Sequence, residues 1–264
     1  MGIDPLVPVE LSDPAYECDG LRHATASSRA LGRRADVTFW SSSPNDGEPT
    51  PLVILLHGVY GSHWAWAHKA GAHRTAASLG VPVALAMPSD GLFGLGSGYV
   101  RHAGGDFASW ILDEVPWLAA QALPGVSEDA PVALVGLSMG GFGALLLAGR
   151  RPDRVHAANG LSSITDFSQM RYFVGDIAGY DVSERDRSVL DALVSSSPRP
   201  RIRFDCGRTD PLIEPNRALH AALLEAGVEH TYVEHDGGHE WSYWSAHLRA
   251  ALEFVLEGEG DQSA

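Results

Sequence analysis

The residues best placed to do chemistry sit in the run PVALVGLSMGGFGALLLAG, where Gly136, Ser138 and Gly140 take the spacing G-x-S-x-G. An apolar, strand-like stretch precedes the serine and a helix-forming stretch follows it. A serine on a sharp strand-to-helix turn needs small neighbours, because the turn is strained and tightly packed. Its hydroxyl then projects at the positive end of the following helix. The bland alternative is a glycine-rich turn with an incidental serine. A serine hydroxyl is a weak nucleophile, so it needs a base, and the base needs an acid to orient it. On such a turn the three occur in the chain order Ser, Asp or Glu, His, which confines the search to residues after Ser138.

His239 lies in HDGGHEW, where Gly237 and Gly238 let the loop bend back toward Ser138. His220 and His247 compete from within helix-like stretches, and His230 and His235 from strand ends. Asp210 lies in the turn GRTDPLI, just past the strand-like RIRFDCG. Its rival Asp205 sits inside that strand, and Asp210 itself could instead cap the turn ahead of Pro211. Two backbone N–H groups must hold the oxyanion of an acyl-transfer intermediate. Met139, after the nucleophile, is one candidate, and Val59, in the loop after PLVILLHG, is the other. This chemistry requires no metal and no organic cofactor.

The elements that must position these groups are readable. The runs PLVILLHG (51–58), VPVALAMPS (81–89), PVALVGLS (131–138) and RIRFDCG (201–207) are β-rich. The first three are nearly continuously apolar, as strands covered on both faces are. Helix-like stretches at 65–79, 106–122 and 140–150 alternate with them, which predicts a parallel α/β sheet. Upstream, LRHATASSRALG and RRADVTFWSS alternate in character, as an antiparallel edge hairpin would, and SSSPNDGEPTP is a turn-rich loop. HAANGLS reads as a short strand, PNRALHAALLEAG as a helix stopped at Gly227, HTYVEH as a last strand and WSYWSAHLRAALEFVLEG as a closing helix. The reading is one domain over 1–256 and a flexible tail over 257–264. The polar stretch 161–199 is either a small cap over a pocket or a surface helix and loop.

Composition narrows the partners. The 264 residues carry 19 basic and 33 acidic side chains, a net charge of −14, which disfavours nucleic acid and anionic membrane surfaces. Lys69 is the single lysine. No apolar run approaches the roughly 20 residues of a spanning helix. The first residues lack a basic and an apolar signal region, so the expected location is cytoplasmic. Cys18 and Cys206 make no disulfide framework and are expected to be unpaired thiols.

LLHGVYGSHWAW, AMPSDG, GLSMGGFGAL, FDCGRTDPLI and DGGHEW together resemble the putative-esterase (esterase D-like) family of α/β-hydrolases, across residues 50–245. That family includes S-formylglutathione hydrolases, tributyrin esterases, feruloyl esterases and the related mycolyltransferases. The resemblance implies an α/β-hydrolase fold, mostly parallel with helices on both faces and an antiparallel N-terminal edge. It also implies the triad Ser138, Asp210 and His239, the oxyanion donors Val59 and Met139, and a small-molecule ester substrate. It suggests a homodimer without fixing an interface. Hydrolysis of small acyl esters is the first expectation. An acyltransferase, a feruloyl or acetyl-sugar esterase, and a non-catalytic binding protein on the same scaffold are the alternatives. Two departures stand out: the segment GLFGLGSGYVRHAGGDF is unusually glycine-rich, and Gly61, Ser62 and His63 stand where some S-formylglutathione hydrolases carry a cysteine.

His63, His68 and His73 recur every five residues, a step that rotates each about 140° from the last on a helix, so they do not converge on a metal. Trp64, Trp66, Trp241 and Trp244 divide between pocket lining and core packing, with packing expected for at least two of them. Tyr60, Trp64 and Trp241 are the nominated substrate-binding residues, Tyr60 at the pocket mouth. His57 is expected to support the oxyanion loop rather than to react.

Overall fold

A strand that is apolar at every position must be covered on both faces, and the three most apolar runs are. Leu52–Leu56, Ala84–Pro88 and Val132–Leu137 are buried at every residue. Each fully buried Leu or Ile there contributes about 1.5–3 kcal/mol relative to exposure. The computed structural model describes residues 9–42, 49–90 and 96–257. Besides a two-stranded ribbon of Arg101–His102 with Gly105–Asp106, its strands are β1 (Val9–Leu11), β2 (Arg22–Ser28), β3 (Arg33–Ser41), β4 (Leu52–Leu56), β5 (Ala84–Pro88), β6 (Val132–Leu137), β7 (Val155–Leu161), β8 (Arg201–Gly207) and β9 (Thr231–His235). They form one sheet in the order β1-β2-β3-β5-β4-β6-β7-β8-β9. From β5 through β9 all pairings are parallel; β1, β2 and β3 pair antiparallel at the N-terminal edge.

The principal helices are α1 (Ala65–Lys69), α2 (Ala72–Ala77), α3 (Val115–Ala122), α4 (Met139–Arg150), α5 (Val189–Val194), α6 (Ile213–Glu225) and α7 (Trp241–Leu256). Alternate strand residues feed two cores. Ile54, Leu56 and Leu134 join Phe142, Leu145 and Leu118 on one face. Val53, Leu55 and Val135 join Trp66, Ala76, Leu248 and Leu252 on the other. Helices therefore cover both faces, as the apolar strands require.

Three local features differ from the sequence reading. The three-residue strand β1 extends the antiparallel edge; it is too short and exposed to carry a signal. The expected helix at 65–79 is two short helices, because Gly71 adopts φ 61°, which ends one and starts the other. The stretch 106–122 is helical but widens to a π turn over Trp110–Glu114. Pro116 has no N–H to give the Leu112 carbonyl, and Arg154 Nη2 donates to it instead, at 3.1 Å. The remaining elements form where the sequence places them, and Gly227, with φ 64°, follows the end of α6. Parts of three expected segments, at 43–48, 91–95 and 258–264, lie outside the described residues.

The stretch 161–199 follows β7 as short 3-10 turns at Phe167–Tyr172, Ala178–Tyr180 and Glu184–Asp186 before α5. Cys18 is exposed and Cys206 buried, and both are free thiols. No helix among the described residues is long and apolar enough to cross a membrane.

Candidate active site

The loops after β4, β6, β8 and β9 all leave the carboxyl edge of the sheet, and they carry Val59, Ser138, Asp210 and His239 respectively. Ser138 sits between β6 and α4 with φ 53° and ψ −116°, a conformation that L residues adopt only when their surroundings enforce it. The two flanking glycines provide the enforcement. A Cβ on Gly136 would stand 2.0 Å from the Gly140 carbonyl oxygen, and one on Gly140 would stand 2.2 Å from that of Leu56. The helix thus begins hard against β4 and β6. The Ser138 N–H donates to Leu161 O at 2.9 Å, which fixes the residue over the sheet.

His239 Nε2 lies 3.0 Å from Ser138 Oγ, and His239 Nδ1 lies 2.9 Å and 3.1 Å from Asp210 Oδ2 and Oδ1. With Nδ1–H donating to the carboxylate, Nε2 keeps its lone pair for the serine proton. Asp210 is buried, and its Oδ1 also accepts the Leu212 N–H at 2.8 Å. The loops carrying Asp210 and His239 are joined. Thr209 donates to the Gly237 carbonyl from its N–H at 3.0 Å and from its hydroxyl at 2.8 Å. A Cβ on Gly207 would collide with that same carbonyl oxygen, at 2.3 Å.

The rival residues have other partners. Asp205 accepts from Arg203 at 2.5 Å and from the Tyr243 hydroxyl at 2.9 Å. Burial raises its pKa, and Arg203 offsets part of that. His220 and His230 hydrogen-bond each other at 2.8 Å. His235 stacks on His247, with ring centroids 4.0 Å apart. His63 bonds Thr38 at 2.8 Å, while His73 faces Asp19 at 3.7 Å.

Val59 occupies the turn Gly58–Gly61, closed by the Gly61 N–H on Gly58 O at 3.0 Å, with Tyr60 at φ 63°. Met139 is the first residue of α4, so its N–H has no acceptor within the helix. Gly96 lets the neighbouring chain approach both residues; a Cβ there would stand 3.3 Å from Met139 Sδ and 3.4 Å from Val59 Cγ2. Buried His57 braces the turn. Its Nε2 accepts the Asp90 N–H at 3.1 Å, so Nδ1 carries the proton and donates to Gly58 O at 2.7 Å.

A cavity of about 430 Å³ opens on Ser138 and His239, and Tyr60, Trp64 and Trp241 all line it. Trp244 lines it too, with its ring edge-on to His239 at 5.0 Å. Trp66 instead is core, fully buried, with Nε1 donating to Leu56 O at 3.1 Å. Phe173, Lys69 and Glu240 are among the lining residues that the sequence does not mark for the site. Phe173 comes from a stretch with no periodicity to read. Lys69 stands out in the sequence only as the single lysine, with no signal for its place.

Sheet order, parallel core and covering helices are those of an α/β-hydrolase-fold enzyme. The chain belongs to the putative esterase family, whose family model matches residues 28–255. It is 26% identical over 234 residues to an acetyl esterase of Caldicellulosiruptor saccharolyticus, covering 80% of this chain and 85% of that protein. It is also 26% identical over 277 residues to the diacylglycerol acyltransferase/mycolyltransferase Ag85B of Mycobacterium leprae (strain TN), covering 84% of this chain and 79% of that protein. A solved ferulic acid esterase superposes with a TM-score of 0.74 at 22% identity, covering 94% of this chain and 97% of that one, a likeness that carries the fold. Membership in this family makes the chain a serine hydrolase acting on carboxylic esters.

Proposed function

We propose that the chain hydrolyses small acyl esters through an acyl-enzyme on Ser138. The observation that carries this reading is the continuous relay from Asp210 through His239 to Ser138, at 2.9 Å and 3.0 Å. His239 Nε2 takes the Ser138 proton as Oγ attacks the ester carbonyl. The N–H groups of Val59 and Met139 hold the oxyanion. The imidazolium, steadied by Asp210, then gives its proton to the leaving alcohol oxygen as the C–O bond breaks. Water repeats the sequence, and the carboxylic acid leaves with Ser138 restored. Every proton moves among protein groups, substrate and the attacking water. The segment 161–199 serves as a small cap, because Phe173 stacks on His239 and the Tyr60 hydroxyl donates to the Phe173 carbonyl.

The test is hydrolysis of p-nitrophenyl esters from acetate to octanoate by the wild type and by Ser138→Ala. Turnover by the wild type and its loss in the variant are expected, with the chain-length optimum sizing the acyl arm of the cavity. An active Ser138→Ala protein would sink the assignment. The similarity to a mycolyltransferase over most of both chains supports a second reading, transfer of the acyl group to an alcohol. Product analysis with a competing alcohol or sugar acceptor separates the two.

A further inference from the structure

The wall leading away from His239 is built as a ladder. Trp244 meets the imidazole edge-on at 5.0 Å, Trp241 meets Trp244 edge-on at 5.3 Å, and the Lys69 ammonium lies 5.4 Å from the centre of the Trp241 ring. Trp241 is held from behind by Trp66, at 5.6 Å and 83°, and Trp66 is itself pinned in the core. The platform under the ammonium is therefore fixed. Lys69 is exposed at the end of α1 and lines the cavity. Among the described residues no carboxylate forms an ion pair with it, and this holds for Glu240, the acid that also lines the cavity. A charge on an aromatic face is attracted by the ring but keeps its outward side for another partner. In a chain of net charge −14 whose other basic residues are all arginine, this compact cation stands in the reaction cavity itself.

We infer that Lys69 is a specificity-determining residue that binds an anionic group, a carboxylate, on the alcohol side of the ester. The side follows from the mechanism: the imidazole must reach the leaving oxygen, so the leaving group lies toward His239 and the indole wall beyond it. Two indole rings separate imidazole from ammonium, so the substrate class is an ester whose alcohol carries an apolar or aromatic arm ending in a carboxylate. The inference rests on the esterase reading above for its orientation.

The experiment uses 3-(4-acetoxyphenyl)propanoate and its neutral amide, which share the acetyl group and the arm. Binding of each is measured by tryptophan fluorescence or calorimetry to Ser138→Ala protein, with and without Lys69→Met or Lys69→Arg. The kcat/KM ratio of the two esters is measured in parallel on proteins that keep Ser138. Tighter binding of the acid by about fivefold is expected, the scale of one solvent-accessible charge pair. Lys69→Met should bring acid and amide within twofold, and Lys69→Arg should keep most of the preference. Equal binding of acid and amide by the Ser138→Ala protein overturns the inference, as does a preference that survives Lys69→Met. If neither ester is turned over, the esterase reading fails, while the binding comparison still decides whether Lys69 holds the carboxylate.

Discussion

The ring of Phe173 lies stacked on the imidazole of His239, with centroids 5.3 Å apart and planes 20° from parallel. Phe173 reaches that position from the segment after β7, and its carbonyl is tied to the Tyr60 hydroxyl across the cavity mouth. Tyr60→Phe removes the tie and leaves the triad contacts untouched. A hydrogen bond of this kind is worth about 0.5–1.5 kcal/mol, so KM for a p-nitrophenyl ester should rise about two- to twelvefold. Steady-state kinetics beside a thermal melt checks this; an unchanged KM would show that the tie does not order the mouth.

Two aspartates five residues apart in sequence should separate activity from stability. Asp210→Asn removes the acceptor that orients His239, and comparable triads lose about 10⁴-fold in kcat on such a change. Asp205→Ala should do the reverse. It leaves Arg203, which is 7% exposed, buried beside no counter-charge, at a cost of about 3–5 kcal/mol. Urea midpoints measure the stability. Turnover per site labelled by a fluorophosphonate measures the activity of the folded fraction, which should match the wild type for Asp205→Ala.

The elbow should tolerate no side chain at Gly140. A methyl there meets the Leu56 backbone, which has no rotamer to yield, so Gly140→Ala should lose at least about 3 kcal/mol, the upper end of ordinary overpacking. Gly175→Ala is the control, since nothing lies within 4 Å of that position, and it should stay within about 0.5 kcal/mol of the wild type. Equal urea midpoints for the two variants would contradict the packing argument.

Acid should destabilise the fold through His247. Burial first, then the neighbouring His235 and Arg203, push its pKa down to about 4. Tyr243 packs against it with ring centroids 4.4 Å apart, its hydroxyl donating to the Asp205 carboxylate. The folded state keeps this imidazole neutral while an unfolded chain protonates it near pH 6.5, so as pH falls the unfolded state takes up the proton first. The contribution is complete above about pH 6.5 and drains away toward pH 4. Melting temperatures between pH 8 and pH 4.5 should therefore fall less steeply for His247→Phe than for the wild type.

Much of this arrangement is legible in the chain itself, for identifiable reasons. Leu52–Leu56 and Val132–Leu137 are apolar at consecutive positions, and only a doubly covered strand uses such a run. Chain order after an elbow serine leaves few choices, and Asp210 and His239 each sit just past a readable strand. What sequence does not show depends on contacts rather than patterns. The φ of Gly71 divides one amphipathic run into two helices, and Arg154 stabilises a π turn from a distant loop. Phe173 lies in polar 3-10 turns where no period marks a side chain as inward. Lys69 acquires its position only because α1 and the start of α7 meet, with Trp66 wedged behind Trp241.

The two hydrogen bonds from Thr209 to the Gly237 carbonyl make the loops bearing Asp210 and His239 a single body, whereas Ser138 belongs to a different strand-helix joint. Relative motion in the sheet will stretch the contact between His239 and Ser138 while leaving that between His239 and Asp210 intact. The enzyme should thus fall silent under mild heat or denaturant before its spectroscopic signature of folding changes, and regain full rate on return, as a clutch disengages without dismantling the engine.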